Sequence, residues 1–106
     1  MIQLMDYSRP RFRKAELRRR LRARLKGRVT HAFLFGSYAN NTADGRSDVD
    51  LALVVKTRKS FWDRHTDFED IILEFSPVDL LIYTPEEWVT VSRNAWAPFK
   101  NAEAVI

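Results

Sequence analysis

Two aspartates, Asp48 and Asp50, stand two positions apart at the start of an apolar run that ends at Val55. In a β-strand, residues i and i+2 point to the same face, so these carboxylates should lie side by side. Like charges this close repel, and each raises the pKa of the other unless a cation lies between them. Hard divalent cations prefer oxygen ligands, and Mg²⁺ is the usual one where phosphates are handled. The pair therefore indicates a divalent-metal site.

A glycine-serine pair, Gly36-Ser37, ends the preceding apolar run at residues 32–35. Gly36 has no Cβ, so a phosphate can approach the backbone closely and φ is free. Backbone N–H groups at a helix start, helped by a serine hydroxyl, form an anion cradle. A glycine-serine turn or an Asp-x-Asp alone is common. Together, between two apolar strands, they indicate a nucleoside triphosphate held by metals on one side and N–H donors on the other.

The string from Gly36 to Leu51 resembles the signature of the DNA polymerase β-like nucleotidyltransferase superfamily, and specifically its minimal nucleotidyltransferase branch. That pattern is G-S, a short helical turn and then S-D-x-D-L at the spacing seen here. The residues that fall on it are Gly36, Ser37, Ala39, Ser47, Asp48, Asp50 and Leu51. The family usually has a basic residue and a glycine where this chain has Asn40 and Asn41. Asparagine tolerates a left-handed backbone better than most residues, so we expect Asn41 to replace the glycine.

A third acid, Asp79, lies within the apolar run at residues 78–83. Burying a lone carboxylate costs free energy, so Asp79 should have a partner. In the family that the chain resembles, a third acid on the strand after the helix completes the metal site, and Asp79 matches that position in kind and order. A charge on an edge strand, with no role in chemistry, is the alternative interpretation.

The resemblance implies phosphoryl transfer assisted by two metal ions. Asp48 and Asp50 would hold two Mg²⁺ ions about 3.5–4 Å apart, as in such sites generally. One ion would be shared with Asp79, which is also a candidate base. The substrate would be ATP or another nucleoside triphosphate, whose α-phosphorus is attacked by an acceptor hydroxyl while pyrophosphate leaves. The nucleotide-binding set is then Gly36, Ser37, Ser47, Asp48 and Asp50.

The length of 106 residues predicts a single nucleotidyltransferase domain, residues 1–106, with a basic helical arm at residues 1–28. Cysteine is absent, so disulfides and thiolate metal sites are excluded. We find no signal peptide and no apolar run near the ~20 residues that a membrane span requires. A soluble cytoplasmic protein is therefore expected.

The net charge of +4 is unevenly distributed. Residues 1–28 contain 11 basic and two acidic residues, whereas the remainder contains seven basic and 12 acidic residues. Two interpretations of the basic arm stay open. It is either a solvated helix face or a docking surface for an acidic partner protein, RNA or the triphosphate. Few aromatic residues lie among the arginines, which argues against a platform for single-stranded RNA.

The pattern of apolar residues predicts an α/β (α+β) protein, and the resemblance implies the polymerase β-like nucleotidyltransferase fold. A small mixed sheet of about three strands would be flanked by helices in the order α-β-α-β-α-β-α. Strands are expected at residues 29–35, 48–55 and 78–83, with the second strand central. Ser8 and Pro10 indicate the start of the first helix, and Gly27 its end. Its inward stripe would be Leu17, Leu21 and Leu25.

Two more helices are predicted after the second strand. Ser60 and Asp63 mark the first start, and a threonine cap at Thr84 followed by Pro85 marks the second. The expected core stripe of the first is Phe61, His65, Phe68, Ile72 and Phe75. The acids of the same segment, Asp67, Glu69, Asp70 and Glu74, are expected to be solvated. Trp62, Trp88 and Trp96 are expected to pack, and His31 to be structural.

Larger transferases of this superfamily carry a helical domain that binds the acceptor, and a chain of this length has no room for one. The resemblance implies an external acceptor: a small all-helical partner of the HEPN type, which some relatives adenylylate as antitoxins, or a second copy. Three functions stay open. They are a transferase that modifies a partner protein, a transferase that acts on a small molecule or an RNA end, and a non-catalytic binding module that keeps the fold.

Overall fold

The structure, a computed structural model, describes residues 6–94 and 97–106. The helices are α1 (Lys14–Leu25), α2 (Gly36–Ala39), a 3₁₀ helix (Phe61–Phe68) that leads into α3 (Glu69–Phe75), and α4 (Pro85–Arg93). The strands are β1 (His31–Phe35), β2 (Val49–Val54), β3 (Val78–Tyr83) and β4 (Glu103–Ala104). No helix in these two ranges is long and apolar enough to cross a membrane. The predicted fold class is confirmed.

The sheet has the strand order β3-β2-β1-β4, so β2 is central as predicted. Strand β1 runs antiparallel to both β2 and β4, whereas β2 and β3 are parallel. The mixed character follows from the connections. A single helical turn joins β1 to β2 as a hairpin, and the longer helical crossover at residues 61–75 brings β3 back in the same direction. The fourth strand was not predicted, because a two-residue strand has no periodicity of its own.

One face of the sheet carries the main core. On β2, Val49, Leu51 and Leu53 alternate toward this face and are fully buried. The stripe on α1 and the side chains Ile71 and Phe75 of α3 cover it. The three α1 leucines have 0% exposure, which confirms the predicted inward stripe Leu17, Leu21 and Leu25.

The opposite face of the sheet is covered over only part of its length. Phe35, Ala52 and Phe99 form a second cluster there, and Trp88 of α4 and Tyr83 of β3 pack against it. Phe35 lies opposite Asp50, so this cluster borders the acids at the amino end of β2. Asp48 is exposed and Asp50 is only partly buried. The acidic residues therefore lie at the open margin of the cluster.

The start of α1 differs from the prediction, because Ser8 and Pro10 precede the helix instead of beginning it. The helix starts at Lys14, and its N-cap residue, Arg13, makes no hydrogen bond through its side chain. Residues 7–13 instead cross the sheet end, where Phe12 packs against the core cluster. Tertiary contacts with the sheet thus outweigh the local preference of Ser8 and Pro10 for a helix start, as they commonly do. Gly27, with φ of 80°, follows the helix end as predicted.

The segment after β2 also differs in detail. Ser60 donates its hydroxyl to Asp63 at 2.7 Å without capping the backbone, and residues 61–68 form a 3₁₀ helix before α3 begins. This tighter winding turns Arg64 inward in place of a purely apolar stripe. Trp62 is 81% exposed, so its predicted packing is wrong, whereas Trp88 packs as predicted. Ala95 and Trp96, two positions of the predicted last helix and its flank, lie outside the described residues.

A buried arginine links the 3₁₀ helix to the sheet and to α4. Arg64, 6% exposed, donates to the carbonyl of Ile82 at 3.0 Å and pairs with Glu87 at 2.6 Å. Glu87 also completes the predicted capping box with Thr84. The hydrogen bond from Arg64, followed by that from the Thr84 backbone, holds the pKa of Glu87 below its usual value. One carboxylate therefore both caps α4 and neutralises a buried cation.

We expect Thr84→Ala to lower the free energy of unfolding by about 1 kcal/mol, because it removes one half of this capping box. Urea denaturation at neutral pH measures the change. Thr90→Ala, an exposed position within the same helix, is the control and should be neutral or slightly stabilising. Equal effects of the two substitutions would show that the cap adds nothing to stability.

Candidate active site

The site is built around Asp50, the second residue of β2. In the antiparallel pairing with β1, Asp50 lies opposite Phe35, the residue immediately before Gly36. In the parallel pairing with β3, Asp50 lies opposite Asp79. The central strand thus places one carboxylate between the glycine-serine turn on one side and the third acid on the other.

Gly36 is in direct contact with the carboxylate of Asp50. Its φ of 69° is in the left-handed region, and a Cβ built on it would lie 2.0 Å from Oδ2 and 2.9 Å from Cγ of Asp50. Real Cβ atoms do not approach other heavy atoms this closely, so no residue with a side chain fits here without displacing Asp50. The glycine is therefore required by both conformation and close approach.

The three aspartates share one electrostatic environment. Partial burial, followed by the negative charges of Asp79 and then Asp48, raises the pKa of Asp50 from 3.8 to about 6. An acid whose neighbours are acids is stabilised in its charged form by a bound cation. Among residues 6–94 and 97–106, however, no three His, Cys, Asp or Glu side chains form a ready-made metal site. The donor set fits Mg²⁺ in chemistry, and the metal-binding roles of Asp48, Asp50 and Asp79 stay predictions.

Asp79 lies on β3, an edge strand, and its side chain is exposed. The expectation that this acid is buried, and therefore needs a partner to offset the cost of burial, is wrong, because the edge position leaves it in water. Asp79 is nevertheless the register neighbour of Asp50. Its edge position leaves room for a substrate, so exposure and a role in the site are compatible.

The turn that begins at Gly36 is a single helical turn, with Ser37 half-buried at its second position. Tyr38 and Ala39 are buried and fasten the turn to the main core. Asn41, two positions after the turn, has φ of 60°, so the prediction that Asn41 adopts the conformation usual for glycine is confirmed. The binding of phosphates by Gly36 and Ser37 stays a prediction.

Ser47, predicted to contact the nucleotide, has its hydroxyl engaged within its own loop. The hydroxyl accepts from the backbone N–H of Asp44 at 2.9 Å and lies 3.4 Å from Asp44 Oδ1. Asp44 Oδ1 also accepts from the N–H of Arg46 at 2.8 Å. Ser47 thus stabilises the loop that leads to Asp48, and its contact with nucleotide stays a prediction.

Two basic residues near the site were not identified from the sequence. Arg11 donates to backbone carbonyls of Ser47 and Pro77, which precede β2 and β3, and Lys14 donates to the carbonyl of Ala39 in α2. The sequence placed both in the first helix or its start. Nothing in the spacing of 11 basic residues within 28 distinguishes these two from the others.

One well-formed cleft lies away from the acids. It encloses about 390 Å³ at the opposite ends of β2 and β3, between Lys56 and Arg58 on one side and Thr84 and Glu86 on the other. The amino end of α4 in this cleft is already capped by Thr84 and Glu87, so its N–H groups are not available as an anion cradle. The arrangement able to do chemistry is the open acidic end.

We expect Gly36→Ala to destabilise the fold by clearly more than Gly27→Ala. Both glycines have positive φ, which costs an L-residue about 1 kcal/mol, but nothing lies within 4 Å of a Cβ at Gly27. The difference in urea denaturation therefore isolates the contact between Gly36 and Asp50. In the double variant Gly36→Ala/Asp50→Ala, the extra cost should largely disappear. If Gly36→Ala and Gly27→Ala lower the free energy of unfolding equally, the close contact between Gly36 and Asp50 is contradicted.

We expect Asp50→Asn to stabilise the metal-free protein at neutral and high pH but not at low pH. Because the pKa of Asp50 is raised toward about 6, the folded state holds the proton more tightly than the unfolded state. This stability is complete below about pH 4 and is lost as the pH rises through about 6. Two pKa units correspond to about 3 kcal/mol, and partial exposure should reduce the effect to about 1–2 kcal/mol.

Urea denaturation in EDTA at pH 4 to 8 tests this sign. The stability difference between Asp50→Asn and the natural chain should grow between about pH 4 and 7 and then level off. If this difference in unfolding free energy is constant across the pH range, or grows toward low pH, burial and the neighbouring acids do not raise the pKa of Asp50.

Comparison with known proteins agrees with this geometry. The family model for the polymerase beta nucleotidyltransferase domain matches residues 20–97, which include β1, α2, β2 and β3. A protein of Methanocaldococcus jannaschii named "Putative protein adenylyltransferase MJ1305" is 54% identical over 43 residues, which are 40% of this chain and 29% of that protein. The chain thus matches less than a third of that relative's length. With its glycine-serine turn and acids in the order of the family, the chain belongs to the polymerase beta nucleotidyltransferase family.

Proposed function

We propose that the chain is a Mg²⁺-dependent nucleotidyltransferase that moves a nucleoside monophosphate, AMP from ATP, onto a hydroxyl group of a partner protein. The observation that carries this proposal is the position of Asp50, in contact with Gly36 and in register with Asp79. A phosphate-binding turn and clustered carboxylates on adjacent strands are what a triphosphate with bound cations requires.

In this proposal, the N–H groups and hydroxyl of the Gly36-Ser37 turn bind the β- and γ-phosphates, and Asp48 and Asp50 supply oxygen ligands for Mg²⁺. When bound, Mg²⁺ neutralises the triphosphate charge and lowers the pKa of the acceptor hydroxyl. The acceptor oxygen forms a bond to the α-phosphorus while the bond to the bridging oxygen of the β-phosphate breaks, so pyrophosphate leaves. Asp79, exposed beside Asp50, accepts the hydroxyl proton. Positioning and charge neutralisation supply most of the catalysis.

A protein acceptor is supported by the name of the relative from Methanocaldococcus jannaschii, "Putative protein adenylyltransferase MJ1305". The surface of the chain is also consistent with a docked partner. Trp62 and Leu73 are 81% and 82% exposed, and Arg19, Arg22 and Lys26 make no ion pair within residues 6–94 and 97–106. We propose a small helical partner of the HEPN type, with the chain as the antitoxin half of a toxin–antitoxin pair in the cytoplasm.

An RNA end is the alternative acceptor, and the same exposed cations of α1 favour it. Arginine and lysine side chains without partners bind phosphates through charge, and that binding weakens steeply with salt. A second copy of the chain is another possible partner. Transfer of labelled AMP to protein or to RNA, compared in one reaction, distinguishes these acceptors.

We expect Asp48→Asn, Asp50→Asn and Asp79→Asn each to lower AMP transfer by at least about a hundredfold, because each removes charge needed by the triphosphate and its cations. The assay combines α-labelled ATP, Mg²⁺ and the proteins encoded by the neighbouring genes, followed by gel autoradiography. Glu69→Gln, which removes an exposed charge on α3, is the control and should transfer normally. Circular dichroism verifies that the variants fold.

Two outcomes would overturn the proposal. If Asp50→Asn transfers nucleotide at the rate of the natural chain, the site is elsewhere. If the natural chain transfers nothing and does not bind the stable analogue α,β-methylene ATP with Mn²⁺, the chain is a binding module without this chemistry.

A further inference from the structure

We propose that residues 7–14, here called the strap, hold the glycine-serine turn and the acid-bearing strands in a fixed relative position. Arg11 is then the positioning residue that joins the start of β2 to the start of β3. This inference rests on the proposed function. The strap precedes residues 20–97, the part of the chain that the family model matches.

Arg11 bridges the starts of the two strands that carry the aspartates. One of its terminal nitrogens donates to the carbonyl of Ser76 at 2.6 Å, and the other donates to Ser47 at 3.2 Å and Pro77 at 3.1 Å. Ser47 immediately precedes Asp48, and Pro77 stands two residues before Asp79. A single guanidinium therefore connects the backbone on both sides of the acidic cluster.

The planar guanidinium suits this bridge better than any other side chain. It presents five N–H donors in a rigid fork, so it can serve several carbonyls at once and keeps its charge at all relevant pH values. The carbonyls that it reaches are separated by about 30 residues along the chain, at positions 47 and 75–77. A lysine at this position could reach one strand start but would not hold both in a fixed geometry.

The same segment holds the phosphate-binding turn. The ring of Phe12 packs between Tyr38 of α2 and Phe75 at the end of α3, with centroid distances of 6.4 and 5.8 Å. Lys14 donates to the carbonyl of Ala39 at 3.1 Å and to Asn41 Oδ1 at 3.2 Å. The single turn of α2 is thus fixed by two residues of the strap, Phe12 and Lys14.

The loop before Asp48 is the third part held by the strap. The N–H of Gly45 donates to the carbonyl of Tyr7 at 2.8 Å, and the guanidinium of Arg46 lies 4.5 Å from the centre of the Tyr7 ring. A Cβ at Gly45 would approach the backbone of Tyr7 to 3.0 Å, so the two segments pack closely. The strap therefore contacts α2 and the segments that lead directly into β2 and β3.

These contacts oppose a specific force. Asp50 and Asp79 are adjacent acids whose charges repel, and Asp79 lies on an edge strand with a neighbour on one side. Repulsion favours separation of the two strand starts, and Arg11 ties them together from the backbone. A displacement of about 1 Å in such a site can cost a hundredfold in rate.

The test compares Arg11→Gln and Arg11→Lys with Arg13→Gln, which removes the same charge two residues away from an exposed side chain without a hydrogen bond. We expect Arg11→Gln to lower AMP transfer by about 10–100-fold, mainly in kcat, and Arg11→Lys to be intermediate. Arg13→Gln should match the natural chain. In Arg11→Ala, added guanidinium ion at millimolar concentration should restore part of the activity.

Two further measurements, Mn²⁺ affinity and hydrogen exchange, do not require AMP transfer. Mn²⁺ affinity, measured by water proton relaxation, should fall about tenfold in Arg11→Gln and not in Arg13→Gln. Hydrogen exchange at residues 47–50 and 77–80 should accelerate in Arg11→Gln only. If Arg11→Gln does not fold, Arg11→Lys and the guanidinium rescue of Arg11→Ala decide the question.

The outcomes separate this inference from the proposed function. If Asp50→Asn abolishes transfer while Arg11→Gln equals the natural chain in rate, Mn²⁺ affinity and exchange, the strap has no positioning role. If the natural chain transfers no nucleotide, the proposed function fails. Unchanged hydrogen exchange at residues 47–50 and 77–80 in Arg11→Gln would then also overturn the positioning role of the strap. Faster exchange there would support it.

Discussion

The carboxylate of Asp50 packs against the Cα of Gly36, and the arrangement of the site depends on this contact. It brings an acid to the mouth of a turn whose backbone N–H groups suit phosphates, and it excludes any side chain at position 36. Partial burial, followed by the negative charges of Asp79 and Asp48, raises the pKa of Asp50. The site is therefore strained in the absence of a cation, which is common where chemistry rather than stability determines the residues.

The other face of β2 compensates for this strain. Val49, Leu51 and Leu53 are fully buried against α1 and α3, so the strand that carries Asp50 is anchored in the main core. Each fully buried aliphatic side chain contributes about 1.5–3 kcal/mol relative to exposure. Alternation along a single strand thus separates the stabilising face of β2 from the face that carries Asp50.

Charge that is segregated along the sequence is partly paired in the fold. Arg24 contacts Glu74 at 2.8 Å, Arg28 contacts Asp70 at 2.8 Å, and Arg18 contacts Glu103 at 3.0 Å. The interpretation of the arm as wholly solvated is therefore too simple, and so is the expectation that the acids of the 61–75 segment are free. Pairs at the surface contribute little stability, about 0–1 kcal/mol each, so their main effect is to orient α1. The cations that stay unpaired, in contrast, are available to a partner.

The sequence by itself determined strands β1, β2 and β3 and the helical stripe. Alternation and spacing are local, so the placement of β3 and the buried face of α1 could be predicted and are confirmed, and the positive φ at Asn41, expected from the family resemblance, is confirmed too. The tertiary structure alone decided the contacts between distant segments. Arg11 reaches carbonyls 36 and 66 positions away, and buried Arg64 reaches a strand 18 positions away. No pattern within a short window marks one arginine among many, because hydrogen bonds to backbone carbonyls depend on where the chain passes in space and not on its neighbours in sequence.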